Sequence, residues 1–253
     1  RLGALALFVG RPVATDRLVE ALWPVDPPPT ARRSLQSHLS RLRGALGDGV
    51  IDRDAAGYRL SHEVTTDVVE FEHHLGRAAA EGDAVRALAH LDAARSLWRG
   101  DPLPELADWT PAAAERSRLM AMYEVLEEDR LETMLGMGDP AALVPEASLL
   151  VTQEPLRERR WGLLMRALYL AGRQAEALAT FQEARKHLID AVGVEPGPEL
   201  SALERAVLEQ DPRLQAPASP AVAPSLSVAA EAEHTPRFLD LLRERDPLVG
   251  RER

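Results

Sequence analysis

Two turn glycines, Gly138 and Gly172, stand 34 residues apart, each between apolar runs at helical spacing. A fixed period of that length points to stacked pairs of antiparallel helices, because one pair cannot bury its apolar face alone. Around Gly172 the residues Trp161, Leu164, Leu168, Ala177, Phe181 and Ala184 fall at the large–small spacing of a tetratricopeptide hairpin. Small Ala177 lets two helices approach, and Trp161 and Phe181 fill the space between neighbours. Leu131, Met134, Leu143, Ala147, Leu150 and Pro155 repeat the pattern more loosely around Gly138. Phe71, Leu75, Ala78, Ala87, Leu91 and Ala94 fit it again around Gly82. A helical-hairpin array is therefore expected, in preference to a generic α-bundle.

Composition agrees. Aromatic residues make up 4% of the 253 residues and Ala and Leu dominate, which favours helix over a β-sandwich. From Thr66 to Asp211 the pattern is helical throughout. Breaks at Gly82, Gly100 to Pro102, Gly138 to Pro140, Pro155, Gly172 and 194–198 delimit roughly seven helices, mostly of about three to five turns. The absence of cysteine excludes disulfides and thiolate zinc sites and suits a reducing compartment. No run approaches roughly 18 apolar residues, so no membrane span is expected. The chain opens on Arg1 without an initiator Met, and is expected to begin inside a longer protein.

The formal net charge of −10 is unevenly spread. Residues 1–60 hold nine Arg against six acidic residues, whereas the remainder is strongly acidic; Lys186 is the sole lysine. This basic segment reads helix, helix, helix, hairpin. A first helix ends over 2–9 and breaks at Gly10-Arg11-Pro12. Thr15 is placed to cap a second, with Leu18, Val19, Leu22 and Trp23 on one face, and Pro24 and Pro27-Pro28-Pro29 stop it. Thr30 is placed to cap a third, Ala31 to Leu46, closed by Gly47. Two short strands follow, Val50-Ile51 and Tyr58-Arg59-Leu60, around a turn near Gly57.

The third helix carries the chemistry. Leu35, Leu39, Leu42 and Leu46 recur at core-facing spacing. Arg33, Gln36, Ser37, Ser40 and Arg41 lie mostly away from that stripe, with Arg43 at its edge. No acidic residue occurs between Ala31 and Gly47. Arg pairs bidentately with guanine edges, Gln with adenine, and Ser with phosphate or base. A solvated Arg/Ser surface is the plainer alternative. The Pro-rich turn before the helix and the basic strand pair after it, with Arg53 and Arg59 beside Gly57-Tyr58, favour a helix-turn-helix with a wing.

The runs Val13 to Trp23, Ser34 to Leu46 and Gly57 to Leu60 resemble the OmpR-type winged helix. The body resembles the bacterial transcriptional activator domain at Leu97-Trp98-Arg99-Gly100, Glu154 to Glu158, Gly172 to Leu178 and Gly193 to Leu200. Together these are similar to the actinobacterial antibiotic regulatory protein (SARP-like) family over residues 1–213. The resemblance implies a mainly α fold: a truncated winged helix-turn-helix over 1–62, lacking the family's N-terminal sheet, then an all-α tetratricopeptide-like array over 66–213. It implies a non-enzymatic transcriptional activator in the cytoplasm, at the nucleoid. Its partners would be double-stranded DNA at direct-repeat promoter sites, RNA polymerase with its sigma factor, and a second copy of the chain. Ser37 and Arg41 match positions facing bases, and Ser34, Ser40 and Arg43 match positions near phosphates. The DNA-facing set is Arg32, Arg33, Ser34, Gln36, Ser37, Ser40, Arg41, Arg43, Arg53, Tyr58 and Arg59. Asp54 stands where the family often holds a wing Arg, with Arg53 beside it.

Residues 214–236 read as a linker, and 237–253 resemble the opening of a STAND- or AAA-type nucleotide-binding domain. No phosphate loop lies in this chain, so no cofactor is expected within it; ATP enters only with a following domain. The remaining candidates take plainer readings. His73-His74 diverge on a helix and make a poor metal pair. His38 is read as packed or near phosphate. Glu124, Glu127, Glu128, Asp129 and Glu132 form a solvated acidic face, and Met120, Met122, Met134 and Met137 fill the core. A protein-interaction scaffold and the regulatory front end of a STAND- or AAA-type ATPase remain the competing functions.

Overall fold

The computed structural model describes residues 3–47, 49–61 and 63–215. Its elements are α1 (Gly3–Ala6), α2 (Thr15–Leu22), α3 (Ala31–Leu46), β1 (Ile51–Asp54), β2 (Gly57–Leu60), α4 (Asp67–Ala80) and α5 (Ala84–Ser96). A 3-10 turn (Pro104–Leu106), α6 (Thr110–Leu135), α7 (Pro140–Gln153), α8 (Glu158–Leu170), α9 (Gln174–Val192), α10 (Pro198–Leu208) and a last 3-10 turn (Pro212–Gln215) follow. The described residues form two compact units, one of 3–72 with 97–122, the other of 73–96 with 123–215. The expected helix, helix, helix, hairpin order and the helical array are both present.

In the first unit, one face of each short element meets a common core. Leu5, Leu18, Leu35, Leu39, Ile51, Leu60 and Trp109 are all buried in it. Phe8 meets Trp109 edge-on, ring centroids 6.2 Å apart. β1 and β2 pair antiparallel, with Ile51 opposite Leu60 and Arg53 opposite Tyr58. Val13 extends the pairing: its N–H donates to the Tyr58 carbonyl at 2.7 Å and its own carbonyl accepts from Tyr58 N–H at 3.0 Å. Gly57 is required at this corner. Its φ is +143°, and a Cβ would lie 2.1 Å from the Val13 carbonyl oxygen.

In the second unit, α7, α8 and α9 pack in sequence around Leu131, Ala147, Trp161, Leu164, Met165, Leu168, Ala177, Phe181 and Ala184, all buried. The large–small spacing around Gly172 is therefore the core of a helix pair. Gly172 itself has φ +76°, and Arg173 N–H donates back to the Leu168 carbonyl at 2.8 Å, reversing the chain.

Several expectations need correction. α1 ends at Ala6, because Gly10 adopts φ +74° and donates to the Leu60 carbonyl at 3.0 Å, drawing the chain to β2. Neither threonine caps through its side chain: α2 already includes Thr15, and Thr30 has a turn-like φ −93° and ψ 5°. α6 runs for 26 residues, longer than the expected helices. Met120 and Met137 are 37% and 42% exposed, so they do not fill the core. The last 3-10 turn includes Leu214 and Gln215, the first two residues of the segment read as linker. The rest of that segment and the nucleotide-domain resemblance at 237–253 lie outside the described residues.

The acidic run on α6 is not a solvated face. Glu128 is 1% exposed. Its carboxylate accepts from Arg157 Nε at 2.6 Å and Nη2 at 3.1 Å, and from Arg160 Nε at 3.2 Å. Arg160 also pairs with Glu124 and donates to the Leu150 carbonyl at 2.8 Å. Arg159 bridges Asp129 and Glu132, and Arg166 reaches Glu132 at 2.7 Å. Periodicity marked these carboxylates as polar but could not show that arginines starting α8 would meet them. Burial lifts the Asp129 carboxyl above its ordinary pKa even against Arg159. Burial pushes Glu132 the same way, but Arg159 and Arg166 together bring it below.

Candidate nucleic-acid interface

α3 forms as a helix because its leucines recur on one side, and three of them, Leu35, Leu39 and Leu46, are buried in the first core. That fixes the rotation of the other side. Arg32, Arg33, Gln36, Ser37, Ser40 and Arg41 are exposed, and Ser34 is half-buried. Exposed Arg32 donates to Asp16 of α2 at 2.7 Å, a contact between the two helices of the helix-turn-helix. Arg41 Nη2 lies 2.6 Å from His38 Nδ1, one turn earlier on the helix.

The wing is tied to α3 by one buried ring. Tyr58 is 2% exposed. The guanidinium carbons of Arg43 and Arg53 lie 5.7 Å and 5.3 Å from its centroid. Arg43 Nε also donates to the Ile51 carbonyl at 2.8 Å. Tyr58 is thus not a surface residue, as the DNA-facing set had it; its bulk completes the core, and the two cations stack on it. Arg43 is half-buried and joins α3 to β1. Arg53 is exposed, and Arg59 faces Asp52 at 3.8 Å.

Sequence reasoning missed two supporting carboxylates. Asp16 holds Arg32, which only the packing of α2 on α3 reveals. Asp54, standing where the family often holds a wing Arg, accepts from Ala56 N–H at 2.8 Å and Gly57 N–H at 3.1 Å and closes the hairpin turn. The sequence Asp-x-x-Gly carried that signal.

The other candidates do not assemble a second site. The structure brings His90 to His74, Nδ1 to Nδ1 at 3.2 Å, with His73 alongside. Among the described residues no group of three or more His, Asp or Glu could hold a metal ion. No helix among the described residues is long and apolar enough to cross a membrane.

Comparison with known proteins places this arrangement. Residues 66–208 match the family model of the bacterial transcriptional activator domain. The chain is 36% identical over 221 residues to the regulatory protein AfsR of Streptomyces griseus, covering 86% of this chain and 23% of AfsR. It is 35% identical to the regulatory protein DnrI of Streptomyces peucetius, covering 82% of each. The solved structure of Mycobacterium tuberculosis EmbR in complex with a low-affinity phosphopeptide superposes with a TM-score of 0.76 at 33% identity, over 85% of this chain and 60% of that one. The chain thus spans about a quarter of AfsR and three-fifths of the EmbR chain. With the family model matched over more than half of its length and DnrI matched over most of both proteins, this chain belongs to the bacterial transcriptional activator domain family, among the SARP-like transcriptional regulators.

Proposed function

We propose that this transcriptional regulator acts by binding DNA sequence-specifically, with α3 in the major groove of a direct-repeat promoter site, and that it activates by contacting RNA polymerase through its sigma factor. The observation that carries the reading is the outer side of α3, where Arg33, Gln36, Ser37, Ser40 and Arg41 are exposed with no acidic residue on the helix. In this reading Arg41, Gln36 and Ser37 meet base edges, and Arg32, Arg33, Ser34 and Ser40 position the helix on phosphates. Arg43 holds the wing while Arg53 and Arg59 of the hairpin approach the backbone. The names of the relatives, regulatory proteins and a transcriptional regulator among them, support a role in transcription. The helical array supplies contacts to polymerase and to a second copy of the chain, and the nucleoid is the place of action.

The test is a mobility-shift assay with intact protein on a direct-repeat promoter duplex against a scrambled duplex. The expected result is a preference for the repeat that Arg41→Ala removes. Equal binding to both duplexes by the unaltered protein contradicts the proposal.

A further inference from the structure

The first unit holds a cavity that the DNA-binding reading does not use. Its volume is about 360 Å³, and it lies between the start of α4, the loop 97–105 and α6. That volume falls in the range of small-molecule sites. Phe71 and Trp98 form an aromatic corner, ring centroids 5.7 Å apart and tilted by 46°, and buried Leu119 backs it. The polar lining has one sign in excess. Asp67, Asp101 and Glu105 are exposed carboxylates along it, against the single guanidinium of Arg99.

The loop is held in this shape by local constraints. Gly100 adopts φ +127°, and Leu103 adopts φ +54°, a left-handed conformation unusual for a branched side chain. Leu106 N–H donates to the Leu103 carbonyl at 2.9 Å, and Leu106 and Trp109 are anchored in the core. Such strain persists where the surroundings over-determine it. These contacts fix the loop that forms one wall of the cavity.

An aromatic face attracts a cation through its quadrupole, and an anion meets repulsion from the carboxylates. We propose that this cavity binds a small organic cation with an apolar or aromatic body. The ring system packs against Trp98, which buried Phe71 backs, and the charge lies toward Asp67, Asp101 and Glu105. The inference is independent of DNA binding.

Benzyltrimethylammonium is a suitable probe, and phenylacetate carries the same ring with the opposite charge. Each is titrated into the intact chain while the indole N–H signals of its four tryptophans are followed by 1H–15N correlation spectra. The cation is expected to shift the Trp98 signal saturably and to bind about tenfold more tightly than phenylacetate. Exposed Asp101→Asn leaves the cavity walls intact and is expected to weaken the cation about threefold or more while leaving phenylacetate bound as tightly or more tightly. Trp98→Leu is expected to abolish the heat of cation binding seen by titration calorimetry with the unaltered protein, with the remaining indole signals reporting that the fold is kept. Phenylacetate binding as tightly as the cation overturns the proposal. So does the lack of a saturable shift at Trp98, or an Asp101→Asn protein with unaltered affinity for the cation.

Discussion

Glu128 of α6 and Arg160 of α8 are each 1% exposed and joined through Arg160 Nε to Glu128 Oε1 at 3.2 Å. A buried ion pair contributes little net stability over an apolar pair of similar volume, but losing one partner leaves an uncompensated charge. Glu128→Ala is therefore expected to destabilise the protein by about 3–5 kcal/mol. The double replacement Glu128→Leu with Arg160→Met is expected to cost less than Glu128→Ala alone. Urea denaturation midpoints check the order; a double variant weaker than the single one contradicts it.

The neighbouring carboxylates give the array an acid signature of known sign. Glu132 sits below its ordinary pKa of 4.5, because its arginine partners outweigh burial. A carboxylate of that kind stabilises the fold above its unfolded value and loses the contribution as pH falls through the lowered one. The cost of Glu132→Gln should thus be greatest near neutrality and shrink below pH 4.5. Asp129 is raised, chiefly by burial, so its slope is opposite. Wild type should gain relative to Asp129→Asn as pH falls through that raised value. Urea midpoints of the three proteins across the acid range decide both signs.

The hairpin depends on a contact that no side chain supplies. Gly57→Ala places a methyl against the Val13 carbonyl at a φ of +143°. A loss of about 1–3 kcal/mol is expected from the backbone conformation, with the clash adding to it. A melting temperature unchanged from wild type contradicts this.

Tyr58 tests whether the wing cations act as a stacked pair. Tyr58→Phe keeps the ring under Arg43 and Arg53, and is expected to keep stability and DNA affinity. Tyr58→Ala removes it, and is expected to cost about 3–5 kcal/mol by analogy with other buried aromatics. At a temperature where this variant stays folded, weaker DNA binding is still expected. Calorimetry and a binding titration on each variant provide the check.

Much of this organisation was legible in the residues because periodicity reports burial. The stripe Leu35, Leu39 and Leu46 and the repeat positions Trp161, Ala177 and Phe181 point inward as their spacing requires. What the sequence could not disclose lies between elements distant along the chain. Glu128 reads as a surface carboxylate until α8 brings Arg157 and Arg160 to it. Tyr58 reads as a wing-tip aromatic until Val13 pairs with its backbone and turns the ring inward. Asp54 reads as a misplaced charge until its oxygen is seen to close a turn. Each is a tertiary contact, invisible to a window of neighbouring residues.

The most direct measurement for the DNA-binding reading is the salt dependence of affinity for a direct-repeat duplex, taken for the intact protein, Arg33→Ala and Arg41→Ala. Phosphate contacts release counterions, so log affinity should fall linearly with log salt, and Arg33→Ala should flatten the slope by about 1. Arg41→Ala should instead erase the preference over scrambled DNA while the protein still binds weakly. A slope near zero for the unaltered protein, or one that neither substitution alters, contradicts a duplex seated on α3.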